Sequence, residues 1–509
     1  MPISPALSAS DTASSPETDV VDIRTLPPFV LAGFAALALM GLNTANPLLT
    51  AASVISLPLI IVLTWRPGEP PALAFVMVFH WLQTTVKVFY ADILGVSVTE
   101  VVMFEMLSQY ADSVTSTWLT LAGTIVVAVG MRLAIRSLPR PDREALAEGA
   151  RTFSIPRVFW VYLALSIGLS TAYEAIGYWS GLRQMLLAAV QLKWVLYFVL
   201  AYVTFVRRQH YLYLATAFAI EFISGIGFFS GFKEVLFVTV ISYFTARSQV
   251  TLRTFAQGLI VGVVLLIVGS AWTVVKPDYR RLIGEEDRQG AVVGQQEQIE
   301  TLVSLVGQLD GASLAEGMAP LVDRLSYVDF FGYTIGFVPA IVPHEDGALW
   351  GAAFKHIFTP RIFFPDKPSI VSDSEITNRY TGLQVAGESE GSSFSIGYMA
   401  ESYVDYGPFW MFIPIFLSGV LRGLMFRFFA RNEEIRLFAY GFAVALFINW
   451  YTLEVATGKL LGGLLTLFII LSLLFRFAGP ALARWLSTDP THERMEEPSV
   501  AAPPSWSSV

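Results

Sequence analysis

The chain has 509 residues, 54% of them hydrophobic and only 15% charged, with a mean hydropathy of +0.58, which excludes an ordinary soluble domain and indicates an integral membrane protein. A formal net charge of -8, with no basic patch in either tail, excludes nucleic acid as a partner, because a phosphate backbone would require one. The absence of cysteine excludes disulfides, thiolate metal sites and a cysteine nucleophile.

Residues 1–28 are rich in Ser, Ala, Pro and acidic groups and lack the basic start of a cleavable signal, so they read as a disordered cytoplasmic tail. Apolar runs near the length needed to cross about 30 Å of hydrocarbon then fall at about 30–46, 48–65, 72–92, 116–136, 157–178, 184–206, 211–229, 233–246, 255–275, 408–430, 437–455 and 459–478. Short cytoplasmic connections retain Lys and Arg. Arg66, then Arg132 to Arg157, then Arg207 and Arg208, then Arg247 and Arg253, and finally Arg422, Arg427, Arg431 and Arg436 fall at every second connection. About twelve spans satisfy that alternation, with both termini cytoplasmic. The expected layout is therefore an all-α polytopic protein: spans one to nine in 29–275, a hydrophilic stretch at 276–406 outside the cytoplasm, spans ten to twelve in 407–479, and a second cytoplasmic tail at 480–509.

Ionisable residues inside spans are costly and mark functional or paired positions. His80, Gln83, Thr84 and Lys87 recur at helical spacing on one face of span three, which predicts a polar groove open to the outside. The alternative is ordinary hydrogen bonding between helices, with Lys87 reaching the headgroups. Lys193 in span six and Glu221 in span seven sit at similar depth and are expected to pair. Glu174 and Glu454, nearer the outer ends of their spans, are expected to reach water.

A loop of about 130 residues without structure or function would be unusual. The stretch holds 19 acidic and 9 basic residues, so an anion is repelled on average and must be met by local clusters. Three are available: Lys276, Arg280 and Arg281 where span nine leaves the bilayer; Arg361 with Lys367; and Lys233 at the junction of spans seven and eight. Arginine's fork and lysine's point charge both suit phosphate, although interfacial anchoring or local ion pairing would explain the same residues. Ser326 to Pro343, aromatic but too short for a span, is expected to lie on the membrane surface or dip into it. Gly387 to Gly397 reads as a flexible loop, a lid or a linker.

Two elements carry a family resemblance: Thr359-Pro360-Arg361-Ile362-Phe363-Phe364-Pro365-Asp366-Lys367-Pro368, and Glu401-Ser402-Tyr403-Val404-Asp405-Tyr406-Gly407 entering the next span. With many spans and a large late outer loop, the region from Phe228 to Phe428 resembles the Wzy-type oligosaccharide repeat-unit polymerases of bacterial O-antigen and exopolysaccharide assembly. Ser230-Gly231-Phe232-Lys233 resembles a Ser/Gly-Arg junction of related polymerases and ligases, with lysine in place of arginine.

The resemblance implies a GT-C-like fold in a bacterial inner membrane, with the large loop periplasmic. It also implies metal-independent, inverting glycosyl transfer between undecaprenyl-pyrophosphate-linked sugars, without a cofactor, and a chain-length regulator protein as a candidate partner beside membrane lipid. A pyrophosphate leaving group needs positive charge placed where its own charge develops, which Lys233, Lys276, Arg280, Arg281, Arg361 and Lys367 can supply. The acceptor hydroxyl needs a general base. Glu401, just before span ten and flanked by Tyr398 and Tyr403, is the first candidate, with Glu388 and His356 in reserve; capping of the next helix is the alternative role for Glu401. An O-antigen-type ligase and a transporter of lipid-linked oligosaccharide are the competing functions, although the unequal nine-plus-three layout, without a visible repeat, does not suit a transporter.

Overall fold

The computed structural model describes residues 26–103, 109–139, 141–175, 186–225, 232–247, 251–285, 288–291, 294–359, 364, 371–387 and 393–487. Arg361, Lys367, Glu388 and most of both predicted tails lie outside these residues.

Helices occupy each apolar run: α1 (Pro28–Gly41), α2 (Pro47–Thr64), α3 (Ala72–Leu94), α4 (Ser113–Ile135), α6 (Ile155–Ala175), α7 (Leu192–Arg207), α8 (Tyr211–Ser224), α9 (Lys233–Thr245), α10 (Leu252–Ile283), α18 (Phe412–Ala430), α19 (Arg436–Phe447) and α20 (Thr457–Phe477). Local chemistry sets several boundaries. Proline opens α1 and α2, where its missing N–H costs nothing. Asp112 caps α4 by accepting from the Thr115 N–H at 2.9 Å, and Gly95, with φ at 72°, closes α3 in the left-handed conformation.

Eight helices among the described residues are long and apolar enough to cross a membrane, so the chain is an α-helical membrane protein. The other four expected spans fall on α1, α8, α9 and α19, of 14, 14, 13 and 12 residues. At 1.5 Å per residue the longest of these covers only about 21 Å.

The bundle is held tightest between α4 and α18. A Cβ on Gly130 would lie 2.5 Å from the Phe416 carbonyl oxygen, and one on Gly419 would lie 2.3 Å from that of Val127. The two backbones approach to a distance that only glycine allows, and Gly419 with Gly423 forms the small-residue spacing typical of such membrane contacts. Helices α7 and α19 are buried along nearly their whole length at the centre, whereas α10 keeps most of its apolar surface exposed.

One end of the bundle is tied by arginines to carbonyls at helix ends, where the backbone dipole is negative. Arg66 donates to Leu138 and Pro139, Arg427 to Ala134 at 3.2 Å, and Arg207 to Phe153 at 3.0 Å. Arg66, Arg207 and Arg427 thus share one end, as their alternation in sequence requires. Arg422 departs from the pattern: it lies inside α18, 1% exposed, with its guanidinium 5.3 Å from the centre of the Tyr398 ring. Two short helices complete this end, α5 (Arg143–Arg151) and α21 (Gly479–Leu486). Helix α21 docks through Ser154 N–H to the Leu486 carbonyl at 3.1 Å, so residues up to 487 are part of the folded body rather than the tail.

The hydrophilic stretch is folded throughout its described residues. It begins inside α10 and continues through a hairpin, β1 (Gly284–Glu285) paired antiparallel with β2 (Arg288–Ala291). Among the described residues seven further helices follow: α11 (Gln295–Val306), α12 (Gly311–Glu316), α13 (Met318–Leu325), α14 (Val328–Phe337), α15 (Ala348–Phe358), α16 (Asp373–Thr381) and α17 (Gly397–Trp410).

Helix α14 packs into the bundle, which agrees with the second of its two expected placements, a segment that dips inward. Phe330, Phe331 and Tyr333 are buried in the same core as the spans, each worth roughly 1.5–3 kcal/mol in area removed from water. What makes that burial possible is Lys87. Its ammonium pairs with Asp329 and, at 2.8 Å, with Asp323, while Asp329 also accepts the Met103 N–H at 3.0 Å.

The stripe on α3 is therefore neither an open groove nor a set of headgroup contacts. It is the seam on which the outer segment docks, with the Gln83 carbonyl accepting the Tyr327 N–H at 3.3 Å. Lys87→Met is expected to lower stability by roughly 3–5 kcal/mol by stranding Asp329 in the core. Pairing it with Asp329→Leu should recover most of that loss, as read by thermal unfolding in detergent.

Candidate active site

Two clusters meet on the connection between α19 and α20. Gln83 Oε1 fixes its start by accepting the Leu453 N–H at 2.8 Å, and the Gly397 turn lets the segment pass, since a Cβ there would lie 2.6 Å from the Leu453 carbonyl oxygen. Tyr451 and Glu454 face one cluster, Thr457 and Lys459 the other.

The first cluster is cationic. Lys276 on α10 lies in the electrostatic field of Arg324, Arg280 and Lys233. Lys233 Nζ stands 6.0 Å from the centre of the Tyr451 ring. Lys233 and Arg324 both favour ionisation of Glu454, against a burial that pushes its carboxyl up.

Four basic groups from three elements thus lie within electrostatic reach of Lys276 or are Lys276 itself, with Glu454 near Lys233 and Arg324 and Glu234 near Lys233, and three of the four, Lys233, Lys276 and Arg280, are expected from sequence. Arg324 is not, because nothing local marks it. It arrives when the outer segment folds back on α10, where Ser270 Oγ donates to the Leu314 carbonyl at 2.6 Å and a Cβ on Gly317 would meet Val274 at 2.6 Å. Arg281 does not join them. It is 77% exposed and pairs with Asp278 at 2.8 Å, one turn earlier on the same helix, because adjacent helical positions point about 100° apart.

The second cluster lines a cavity of about 340 Å³ between α15, α16, α17 and the start of α20. Glu401 stands on its wall, 3% exposed. Its Oε2 accepts the Thr457 N–H at 2.8 Å, while Oε1 is buried with no hydrogen-bond partner among the described residues. Burial, opposed by Thr457 and reinforced by the charges of Asp373 and Asp405, pushes the Glu401 carboxyl up to about 7. Asp373 pairs with Lys459 at 2.7 Å and accepts from Ser393 Oγ at 3.2 Å.

His356 also lines the cavity, as do Thr359 and Val371, the two described residues that flank the Pro/Arg/Lys element. Asp405 has a different use: it accepts the Leu349 and Trp350 N–H groups at 3.0 and 2.8 Å and so starts α15. Glu401 does not cap the span that follows it, α18, as the alternative role expected; one oxygen caps α20 instead, and the other has no hydrogen-bond partner among the described residues.

Other buried polar groups serve the bundle. Lys193 and Glu221 pair at 2.7 Å as expected, with Tyr162 Oη donating to Glu221 at 2.6 Å. Glu454 is half-buried, accepting from Gln83 Nε2 at 3.5 Å in the electrostatic field of Lys233 and Arg324. His80 is buried beside Tyr398, with ring centres 6.1 Å apart, and its Nδ1 donates to the Val76 carbonyl at 2.8 Å. Among the described residues, no group of three or more His, Cys, Asp or Glu is placed to hold a metal ion.

A family model described as a domain of unknown function, DUF8712, matches residues 70–449. That is well over half of the 509 residues, so the chain belongs to this family. No curated protein and no solved structure matches the chain.

Glu401 gives a signed pH dependence. Its folded value is raised from 4.5 to about 7, so between those values the native state binds more protons than the unfolded chain, and stability falls as pH rises through that window. Glu401→Gln is expected to remove this component, which thermal unfolding of both proteins across pH 4 to 8 would show as a shallower slope for the variant.

Proposed function

We propose that this member of the DUF8712 family is a glycosyltransferase that extends a surface polysaccharide, using sugars carried on a polyprenyl pyrophosphate as donor and acceptor. The observation that carries the reading is the pairing of sites on one short connection. Lys276 lies in the field of Arg324, Arg280 and Lys233, of which Lys233 and Arg324 also face Glu454, and five residues beyond Tyr451 the chain enters a sugar-sized cavity walled by Glu401. A lipid pyrophosphate held by the cations would present its first sugar toward the acid.

In the reaction proposed, the acceptor hydroxyl oxygen attacks the anomeric carbon, the bond from that carbon to the pyrophosphate oxygen breaks, and the bonding pair leaves on the pyrophosphate. Glu401, ionised above about pH 7, takes the hydroxyl proton. The four cations stabilise the charge developing on the leaving group. In this reading twelve helices cross the inner membrane of a bacterium, with α19 alone of the four short ones doing so within the protein interior, and the folded outer segment faces the periplasm. A ligase that moves a finished glycan would use the same two clusters and differs only in acceptor.

Reconstitution with a lipid-linked repeat unit and gel analysis of product length tests the reading. Arg280→Ala, Arg324→Ala and Arg361→Ala are each expected to lower chain growth roughly a hundredfold or more at unchanged protein abundance, with Glu401→Gln doing the same. Normal product length in the Arg280 and Arg324 variants would remove the pyrophosphate clamp. Passage of labelled lipid-linked sugar across the bilayer without longer products would remove the enzyme.

A further inference from the structure

We propose that a second cavity, at the arginine-tied end of the bundle, binds a phosphate-bearing anion, supplied either as the headgroup of an acidic lipid or as a soluble phosphate. The cavity, of about 420 Å³, opens between α5, the turn joining α7 to α8, and the end of α9. Arg143, Arg208 and Arg247 line it from three different elements, against one carboxylate among the described lining residues, Glu144.

The arginines are positioned rather than merely present. Gly68, at φ +109°, passes under Arg143 so closely that a Cβ would lie 2.7 Å from the arginine Cγ, so only glycine leaves room for that side chain. Arg247 lies with its guanidinium 4.6 Å from the centre of the Tyr243 ring and donates to Tyr243 Oη at 2.8 Å; that hydroxyl in turn donates to Gln257 of α10 at 2.6 Å. Arg208 is carried at φ +54° as α7 ends, and it stays exposed at the cavity. Phe205 adds an apolar wall beside Tyr243.

Guanidinium forks over an aromatic and apolar wall, at the edge of a membrane bundle, match the chemistry of a phosphate attached to a hydrophobic or ring-bearing group. This site is separate from the cationic cluster above. Helix α9 begins at Lys233 and ends just before Arg247, so the two sites stand about 20 Å apart along its axis. The inference does not rest on the proposed enzymatic role.

The full chain, purified and placed in phosphatidylcholine nanodiscs with or without phosphatidylglycerol, is analysed by native mass spectrometry for retained acidic lipid. In parallel, the detergent-solubilised protein is titrated with inorganic phosphate and pyrophosphate by thermal shift. Arg208→Gln with Arg247→Gln, both exposed and removable without touching the core, is expected to reduce binding roughly tenfold, while Arg281→Gln at the far end leaves it unchanged. Glu144→Gln is expected to strengthen it.

Dependence on the two arginines in the lipid arm alone identifies a headgroup, and dependence in the phosphate arm identifies a soluble ester; either supports the site. Equal binding by the wild type and the double variant in both arms overturns it.

Discussion

A buried lysine on α3 decides where the outer segment can lie. Lys87 is 1% exposed, and so is Asp329, its partner from α14. Two charges taken out of water repay their desolvation only through close contacts; here Asp323 adds a second partner to Lys87 and the Met103 N–H a second to Asp329 Oδ2, while Asp329 Oδ1 is buried with no hydrogen-bond partner among the described residues. Any arrangement that lifted α14 from the bundle would leave the lysine unpaired in apolar surroundings. The outer segment is for that reason continuous with the core of the spans. The elements that carry Arg324 and Glu401 inherit their positions from this seam.

Charge is distributed around the molecule in a way that its average conceals. The outer segment is acidic overall, and among the described residues five of its nineteen acids pair with cations: Asp323 and Asp329 with Lys87, Asp373 with Lys459, Glu345 with Arg379, Asp278 with Arg281. Asp405 is spent on backbone N–H groups. Lys276 lies instead in the field of three further cations, Arg324, Arg280 and Lys233, with Glu454 and Glu234 on the same side as Lys233.

Much of this was legible in the sequence. Apolar runs marked every long helix because each must supply its own backbone hydrogen bonds, and the cost of leaving these unmade in hydrocarbon makes the pattern strong. Lys233, Lys276 and Arg280 were legible because depth along neighbouring helices brings groups at the same level together. Arg281 was misread for want of a helical phase, since α10 continues through it where an exit from the bilayer suggested a loop. Arg324 and the seam that buries α14 were illegible, because both depend on contacts some 240 residues apart, of which Lys87 to Asp329 is the first. Arg422 was misread for the opposite reason: a basic residue close in sequence to Arg427 and Arg431 fits the charge rule, and only its burial in the middle of α18 shows that it points inward.

The Glu401 cavity owes its character to a break in the helix that carries it. Gly407, at φ 71°, interrupts the helical backbone just before Pro408, so the segment from Gly397 to Tyr406 turns away from the line of α18. A straight continuation would have carried Glu401 along the axis of a membrane span. With the break, the residue sits against the first turn of α20, where the Thr457 N–H takes one oxygen and the other remains in the cavity wall. Free backbone N–H groups at a helix start favour the carboxylate, and burial favours the acid. Their opposition, with burial the stronger, leaves the group near neutrality, where it can both hold and release a proton at the pH of the surrounding medium.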